Sequence, residues 1–572
     1  MTYVIRGRFW LELAIALVLC VLLGQPITDD QIYDIDLMIE ETMKCRRIPA
    51  LSMALMAGDD ILTRGYGLAD VETGREADEN TVFCTGSVGK AFTSTLMAMI
   101  IDQHGNLSWD TKVQELIPSF QLQDPLRSAE TTLRDLLAHR TGLQSGDLAF
   151  QSGGGVTKDN LLNGLRHLKE ETPFRGKFVY NNMMYALLGY IAELLEGKPF
   201  ETLLSEKIFQ PLNMSSAVFV QNLERYQENL ARPYTLMGGH FEEVDLETVK
   251  VVGDFPSTGG VCVSANDMGQ WLRFLLSGGR DMRGNYLVKE RLLRDTMAEH
   301  MVLYGGMFSR KLRPRFPVSE INIAYGMGWI PSNYRGFSRV HHSGSLWSYT
   351  SHAWLFPNEK IGGFLALNGP VGSGASRARE TMMAYISDIL LGEEPWLNGT
   401  TGCEYPKPWE VYPELRYNIS NIVYIGPPKR PLVSYTGSFH HPLYGKAVVE
   451  LSNSSSSQLR ILIGKVYSAQ LYMLDAIDQF LLAFDGMYKF LTYSDDKQRI
   501  GSVVFNMTQA FGDDQYVANS FVLGFLSGDQ YDFHRDLSYY NLPSVEVNSS
   551  QRKSQHFLLL LTTFVVLIND LW

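Results

Sequence analysis

The 572-residue sequence is poor in cysteine, in positive charge and in long hydrophobic runs. Fifty Lys and Arg stand against 62 Asp and Glu, a formal charge of −12. An acidic chain lacks the basic face that nucleic-acid binding requires. Hydrophobic residues make up 45% and charged residues 20%, as in ordinary globular proteins. The length favours two domains, or one large domain with an appendage.

Several common catalytic and binding motifs are also missing. No Gly-x-Ser-x-Gly elbow and no His-Glu-x-x-His helix occur, which argues against an α/β-hydrolase and a zincin. No Cys/His spacing indicates a metal site, so we expect neither a metal nor another cofactor. The glycine run at 153–155 lacks the context of a nucleotide-binding loop and is interpreted as a flexible loop.

The N-terminal apolar run is short. Arg6 and Arg8 precede eleven apolar residues from Leu13 to Leu23, too few to span a bilayer. This pattern predicts a cleaved secretory signal over residues 1–25, with a buried N-terminal helix as the alternative. Export is consistent with seven Asn-x-Ser/Thr glycosylation acceptors, at Asn106, Asn213, Asn398, Asn418, Asn453, Asn506 and Asn548.

The C-terminal tail, residues 548–572, contains twelve apolar or Thr residues from Phe557 to Ile568. That run is too short for an easy membrane span. Small residues, a polar spacer and a hydrophobic tail fit a lipid-anchor signal that is removed on processing. A frayed or proteolysed terminus is the alternative.

Four cysteines remain once Cys20 leaves with the signal: Cys45, Cys84, Cys262 and Cys403. In an oxidising compartment they allow three disulfide pairings, among which the sequence does not choose. Cys84 and Cys262 lie in apolar runs. They are interpreted either as two buried free thiols or as a disulfide bridge between them.

A proline-rich linker is predicted at 401–431, because proline lacks the amide hydrogen that regular structure needs. After it, at 432–547, short alternating runs separated by turn residues predict an antiparallel sheet or small barrel. The preceding segment, 26–400, has strand hairpins near both ends, at Leu51 to Gly67 and Thr350 to Gly369. Helices are predicted between them at 90–104, 131–138, 182–196 and 266–276. This order predicts an α+β domain with one antiparallel sheet and helices packed around it.

Ser87-Val88-Gly89-Lys90 is the first candidate for chemistry. Residues three apart on a helix share a face, so the amine of Lys90 can take the hydroxyl proton of Ser87. The spacing recurs at Ser494 and at Ser550 and is weak alone, and an N-cap serine with a surface lysine is the alternative. The apolar face of the following helix distinguishes Ser87, because it can bury the lysine and lower its pKa.

Two later segments complete an ordered set. Tyr180-Asn181-Asn182 precedes an amphipathic helix, and His342-Ser343-Gly344 begins a strand. Tyr539-Tyr540-Asn541 and Lys360-Ile361-Gly362 are decoys for these patterns.

At these residues the chain resembles the serine beta-lactamase and penicillin-binding protein superfamily, especially the class C beta-lactamase-like branch with its esterases and D-amino-acid peptidases. The likeness covers roughly residues 30 to 395. It includes "TTLRDLLAHRTGL" from Thr131 and "STGGVCVSANDMGQWLRFLL" from Ser257. The segment after Ser434 is similar to the small β-rich domain that often follows such enzymes.

The resemblance implies an acyl-enzyme on Ser87, with proton transfer shared by Lys90 and Tyr180. For Tyr180 to act as a base at neutral pH, its pKa of about 10 must fall by about three units, and the nearby lysine is the expected cause. Asn182 is expected to orient the lysine or the substrate amide. Backbone amides of Ser87 and Ser345 are expected to hold the oxyanion, with Gly344 leaving the strand open to substrate.

The third motif departs from the beta-lactamases, which carry lysine at the position of His342. Imidazole is mostly neutral at pH 7 and holds an anion weakly, so efficient antibiotic hydrolysis is not expected. A carboxylic ester or small peptide amide fits better. His341 is expected to be an exposed strand residue.

Two functions are therefore weighed. The first is a secreted serine hydrolase acting on a small-molecule or peptide substrate. The second is a non-catalytic extracellular-matrix protein that keeps the fold, since secreted animal members of this superfamily, including molluscan shell-matrix ones, look similar.

Overall fold

The computed structural model describes residues 26–153, 155–224, 227–304, 310–410, 427–452, 455–495, 501–509, 516–525 and 530–536. The predicted signal peptide, the hydrophobic tail, the middle of the linker and the acceptors Asn418, Asn453 and Asn548 lie outside these residues. Within them, no helix combines the length and apolar character needed to cross a membrane. The other four glycosylation acceptors are exposed.

A nine-stranded antiparallel sheet forms the centre of the first domain. Its spatial order is Arg310–Lys311, Glu320–Asn322, Ile330–Tyr334, Phe337–Leu346, Tyr349–Phe356, Ile361–Leu367, Ala50–Ala57, Asp60–Asp70 and Arg75–Glu76. Both predicted hairpins are present. In the first, Gly58 turns with φ of +60°, a left-handed conformation that glycine adopts without steric cost.

The central strand Ala50–Ala57 is buried along its whole length. Because side chains alternate across a strand, Leu51 packs with the helices Asp29–Arg46 and Ser373–Leu391 on one face. Ala54 packs with the helical middle of the domain on the other face. This sandwich confirms the α+β prediction.

The four predicted helices are observed, one with the predicted ends, Asn182–Glu196, and three with ends shifted by one to two residues, Gly89–Gln103, Leu133–Leu137 and Ala265–Leu276. Shorter helices are Val113–Leu116, Pro125–Glu130, Leu148–Gln151, Leu161–Leu165, Phe200–Leu204, Glu247–Lys250, Glu290–Thr296, Gly399–Glu404 and Lys489–Tyr493. Three small sheets join Phe83–Cys84, Val261–Val263 and Val218–Phe219; Tyr234–Met237 and His240–Glu243; and Met301–Val302 and Ala324–Tyr325.

The second domain is a closed antiparallel barrel. Of the two forms expected from the sequence, an antiparallel sheet or a small barrel, the barrel is therefore the one observed. Its strands are Gly437–His441, Gly445–Ser452, Ser455–Ile463, Tyr467–Met473, Gln479–Phe484, Gly501–Gln509, Tyr516–Phe525 and Gln530–His534. Aromatic rings fill its core, among them Phe439, Phe505 and Phe521.

Two disulfides cross-link the first domain. Cys45 pairs with Cys403, and Cys84 pairs with Cys262. The second bridge joins two paired strands of a small sheet, because Cys84 and Cys262 are direct register partners. The interpretation of these two as free thiols is therefore wrong.

Candidate active site

Ser87 lies in a short 3₁₀ turn, Gly86–Val88, between the strand Phe83–Cys84 and the helix Gly89–Gln103. Gly86 adopts φ of +53°, which glycine tolerates. Ser87 stays partly exposed, whereas its neighbours on both sides are buried. The turn therefore presents one hydroxyl at the protein surface.

Lys90, one helical turn further on, is fully buried. Its Nζ lies 3.2 Å from the Oγ of Ser87. The amine also donates to the Oδ1 of Asn182 at 2.6 Å and to the carbonyl of Thr258. Desolvation lowers the pKa of Lys90 to about 7, although the charge of Asp147 acts in the opposite direction.

Tyr180 donates from its hydroxyl to the Oγ of Ser87 at 2.8 Å. The Nζ of Lys90 lies 4.9 Å from the centre of its ring. Desolvation raises the pKa of Tyr180 well above its usual value, against the hydrogen bond with Ser87, and the charge of Asp147 raises it further. The expectation that Lys90 lowers this pKa is wrong: the amine, rather than the phenol, is adjusted toward neutral pH.

Asn182 begins the helix Asn182–Glu196, and its amide links two polar groups. Its Oδ1 accepts from Lys90, and its Nδ2 donates to Asp147 at 3.0 Å. The preceding Asn181 caps the helix by accepting from the backbone N–H of Met183 at 2.9 Å. The cap thus fixes the direction in which Asn182 points.

Gly344 and Ser345 lie on the strand Phe337–Leu346, directly against the Ser87 turn. A Cβ on Gly344 would overlap the carbonyl oxygen of Thr85 and lie 3.1 Å from the backbone nitrogen of Ser87. A Cβ on Gly86 would lie 2.7 Å from the backbone nitrogen of Ser345. Side-chain-free backbone on both segments therefore brings the amides of Ser87 and Ser345 together.

His342 belongs to the same strand, two residues before Gly344, and is buried. Its Nδ1 lies 2.6 Å from the carbonyl of Ser343, and its Nε2 lies 3.0 Å from the hydroxyl of Tyr325. A carbonyl only accepts, so Nδ1 carries the proton and Nε2 accepts from Tyr325. Desolvation, with the charge of Lys90, lowers the pKa of His342 to about 3. The imidazole is neutral and does not line the cleft described below.

His341 is buried rather than exposed, so that expectation is wrong. Its ring nitrogens lie 2.9 Å from the Nε2 of His352 and 2.9 Å from the Oδ1 of Asn322. These partners lie on the strands Tyr349–Phe356 and Glu320–Asn322 of the same sheet, and the hydrogen bonds to them replace those to water.

A cleft of about 280 Å³ opens at Ser87. Of the predicted site residues, Ser87, Asn182 and Ser345 line it, while Lys90 and Tyr180 touch Ser87 from behind. The remaining lining residues are Gly86, Asp147, Phe150, Gln151, Val251, Val252, Thr258, Gly259, Leu346, Trp347, Val371, Gly372, Ser376 and Leu491. In this set of described residues Asp147 is the one charged side chain.

Sequence reasoning missed several of these groups. The segment "TTLRDLLAHRTGL" resembled the family without any residue of it receiving a role, yet its His139 packs 4.4 Å from the ring of Tyr180 and accepts from the N–H of Asn181. Asp147 directly precedes the helix Leu148–Gln151, where no sequence pattern pointed to it. Both are recognisable only once the fold brings distant segments together.

Comparisons with known proteins find similar sequences and similar folds. The family model described as Beta-lactamase matches residues 35–385. Unguisins hydrolase ungD of Aspergillus violaceofuscus (strain CBS 115571) is 27% identical over 441 residues, covering 72% of this chain and 75% of that protein. Gigasin-6 of Magallana gigas is 26% identical over 273 residues, covering 47% of this chain and 90% of that protein.

Among solved structures, an octameric penicillin-binding protein homologue from Pyrococcus abyssi aligns with a TM-score of 0.52 at 21% identity. The alignment covers 88% of this chain and 100% of that one. This likeness concerns the fold, including the second domain.

Proposed function

The chain belongs to the Beta-lactamase family, and from this premise we propose that it is a serine hydrolase that cleaves an ester or amide through an acyl-enzyme on Ser87. One observation carries the proposal. The Oγ of Ser87 lies 3.2 Å from a buried lysine amine and 2.8 Å from a tyrosine hydroxyl, at the floor of an open cleft.

Lys90 is the general base in this mechanism. A pKa of about 7 leaves a large share of the amine neutral at physiological pH. Asn182 and Thr258 accept hydrogen bonds from the amine of Lys90. When the amine is neutral, these bonds use both of its N–H groups and direct its lone pair toward Ser87. Asn182 is thus a positioning residue for the amine.

Acylation transfers one proton and exchanges one bond. The Oγ of Ser87 bonds to the substrate carbonyl carbon while its proton passes to the Nζ of Lys90. The bond to the leaving oxygen or nitrogen then breaks, and the leaving group takes a proton through the hydroxyl of Tyr180, which Lys90 reprotonates. Water attacks the acyl-enzyme in the second half, releasing the acid and restoring Ser87.

The negative charge on the carbonyl oxygen is stabilised by the backbone amides of Ser87 and Ser345. Fixed amide donors stabilise such a charge without reorganising, and the loss of one costs about 10²–10³ in kcat. Gly344 permits this approach, because any side chain there would meet Thr85.

A neutral or cationic ester or small peptide amide is the proposed substrate class. The described cleft lining carries a carboxylate, Asp147, and no cation, and the imidazole of His342 is neutral. An anionic group such as the carboxylate of a beta-lactam therefore lacks a partner of opposite charge. The similarity to an unguisins hydrolase supports hydrolysis as the reaction.

Secretion is part of the proposal and is supported by the similarity to gigasin-6, the predicted signal and the glycosylation acceptors. Association with an extracellular matrix or a lipid anchor is the further option raised by the sequence. A non-catalytic matrix role is the less favoured alternative, since Ser87, Lys90 and Tyr180 are in contact and intact.

The test is labelling of the folded protein with a serine-directed fluorophosphonate. We expect stoichiometric labelling, its loss in Ser87→Ala, and its retention in Ser376→Ala, which removes another hydroxyl from the same cleft. Equal labelling of both variants, or none of the well-folded wild type, contradicts the proposal. Matrix adsorption that survives Ser87→Ala without any turnover would favour the alternative.

A further inference from the structure

Leu491 lines the Ser87 cleft although it belongs to the second domain. It lies in the helix Lys489–Tyr493, inserted between the barrel strands Gln479–Phe484 and Gly501–Gln509. Its exposed fraction is 2%, so the side chain is enclosed where the two domains meet. A barrel residue therefore forms part of the substrate-facing surface.

Hydrogen bonds on both sides fix the helix that carries Leu491. Thr492 accepts from the backbone N–H of Phe484 at 2.7 Å, which ties the helix to the barrel. Asp495 accepts from the backbone N–H groups of Gly238 and Gly239 at 3.0 and 2.8 Å, which ties the end of the segment to a hairpin turn of the first domain. Leu491 is held between these two attachments.

Trp347 carries the contact to the substrate-binding strand. It follows Ser345 by two residues, with φ of +53°, and its Nε1 donates to the carbonyl of Thr248 at 2.7 Å. Its ring centre lies 5.1 Å from that of Tyr488 and 5.9 Å from that of Phe490. The turn after the oxyanion amides thus packs directly on the barrel.

Gln151, which also lines the cleft, makes a second contact with the barrel. The hydroxyl of Tyr467 donates to its Oε1 at 2.9 Å, and the hydroxyl of Tyr488 donates to its backbone carbonyl at 3.1 Å. Gln151 ends the helix Leu148–Gln151, which also supplies Phe150 to the lining. The barrel therefore contacts two segments of the first domain that line the cleft.

Seven of the residues that line the cleft are apolar, and they include Leu491 of the barrel and Trp347, which contacts it. The others are Phe150, Val251, Val252, Leu346 and Val371. An apolar pocket bounded by a fixed side chain discriminates by length, because each extra methylene either fills the pocket or collides with its end. We propose that the barrel closes one end of the cleft and that Leu491 sets the length of the apolar group accepted beside the scissile carbonyl.

This inference rests on the proposed function, and its test uses the full chain. The kcat/KM values are measured for p-nitrophenyl esters of linear acids with two to twelve carbons. In Leu491→Ala we expect the optimum to move to longer chains, with the ratio for eight against four carbons rising about tenfold. Leu491→Val is a smaller change and disrupts folding less. It should move the same ratio in the same direction, but by a smaller factor.

Leu471→Ala is the matched control, since Leu471 is equally buried in the barrel but outside the cleft lining. It should lower thermal stability and leave the chain-length preference unchanged. If both Leu491 variants keep the wild-type chain-length preference while turnover still depends on Ser87, the inference is overturned and the proposed function is not. An equal shift of the chain-length preference in Leu471→Ala overturns the inference in the same way. Absence of Ser87-dependent turnover in the wild type overturns the proposed function and this inference together.

Discussion

The amine of Lys90 loses contact with bulk water when the helix Gly89–Gln103 packs into the first domain. Its pKa falls from 10.5 to about 7, so between these values the unfolded chain binds more protons than the folded one. Stability from this group therefore rises with pH across that window and is lowest below about 7. The same burial that costs stability at neutral pH makes the amine a base.

The first prediction concerns pH. Because neutral Lys90 accepts the proton of Ser87, kcat/KM for an uncharged ester should rise with pH and level off above an apparent pKa of about 7. Initial rates between pH 5 and 9 measure this limb. A flat profile over that range, or a limb near the ordinary pKa of lysine, would rule out Lys90 as the base.

The second prediction separates the charge of Asp147 from its hydrogen bond. Asp147→Asn keeps an oxygen that can accept from Asn182 and removes the negative charge that raises the pKa of Lys90. The acidic limb of kcat/KM should move to lower pH, by about one unit or less. Asp281→Asn, in an exposed turn, should leave the limb in place. Movement to higher pH would contradict the assigned interaction.

At the scale of elements, the strand Phe337–Leu346 places the second amide opposite Ser87, and Gly344 sets the separation. In Gly344→Ala the new Cβ would overlap the Thr85 carbonyl, so the strand must move away from the Ser87 turn. We predict a fall in kcat of about 100-fold or more, as for loss of one oxyanion donor.

The control for that change is Gly105→Ala, where a Cβ meets nothing within 4 Å. Its steady-state kinetics and thermal unfolding should match those of the wild type. Activity of Gly344→Ala within a few-fold of the wild type would show that this strand does not hold the oxyanion.

Local sequence patterns predicted the helices and strands well, but they did not predict which side chains other parts of the fold would bury. Helical periodicity located Asn182–Glu196 with its start and end, because Asn181 caps it and Gly197 ends it with a left-handed φ. The burial of His341 could not be read from its neighbours in sequence, since the strands Ile330–Tyr334 and Tyr349–Phe356 that flank it are set by the sheet order. Alternation along one strand does not report whether both faces are covered.

In the candidate active site too, some features could be predicted from local sequence and others depend on the fold. Ser87, Lys90 and Tyr180 could be predicted as a set, because short motifs in a fixed order identified them. The pKa directions could not, since desolvation depends on which rings and loops cover each group. Asp147 contacts Asn182 because the fold brings the starts of two helices together, and Leu491 reaches the cleft from another domain.

Across the whole molecule, the barrel and the first domain share a polar and aromatic interface around Trp347. The barrel segment 432–536 contains no tryptophan, whereas Trp347 faces Tyr488 and Phe490. Seven of the nine tryptophans lie between residues 109 and 409, so tryptophan fluorescence reports mainly on the first domain and on its contact with the barrel. This separation makes the coupling between domains measurable.

We predict that a barrel-core substitution destabilises both domains together. Phe521→Ala removes a fully buried ring, at a cost of about 3–5 kcal/mol to the barrel. The midpoints of thermal unfolding by tryptophan fluorescence and by far-UV circular dichroism should fall in parallel. An unchanged fluorescence midpoint beside an earlier circular-dichroism transition would mean that the domains unfold independently.

The central claim is that the hydroxyl of Ser87 becomes covalently acylated during turnover. Its most direct test is mass spectrometry of the intact protein, followed by peptide mapping, after rapid quenching with an activated ester. We expect a mass increase of one acyl group on the peptide that contains Ser87, slower accumulation in Lys90→Ala, and none in Ser87→Ala. Acylation of a different residue, or an equal mass increase in Ser87→Ala, would contradict it.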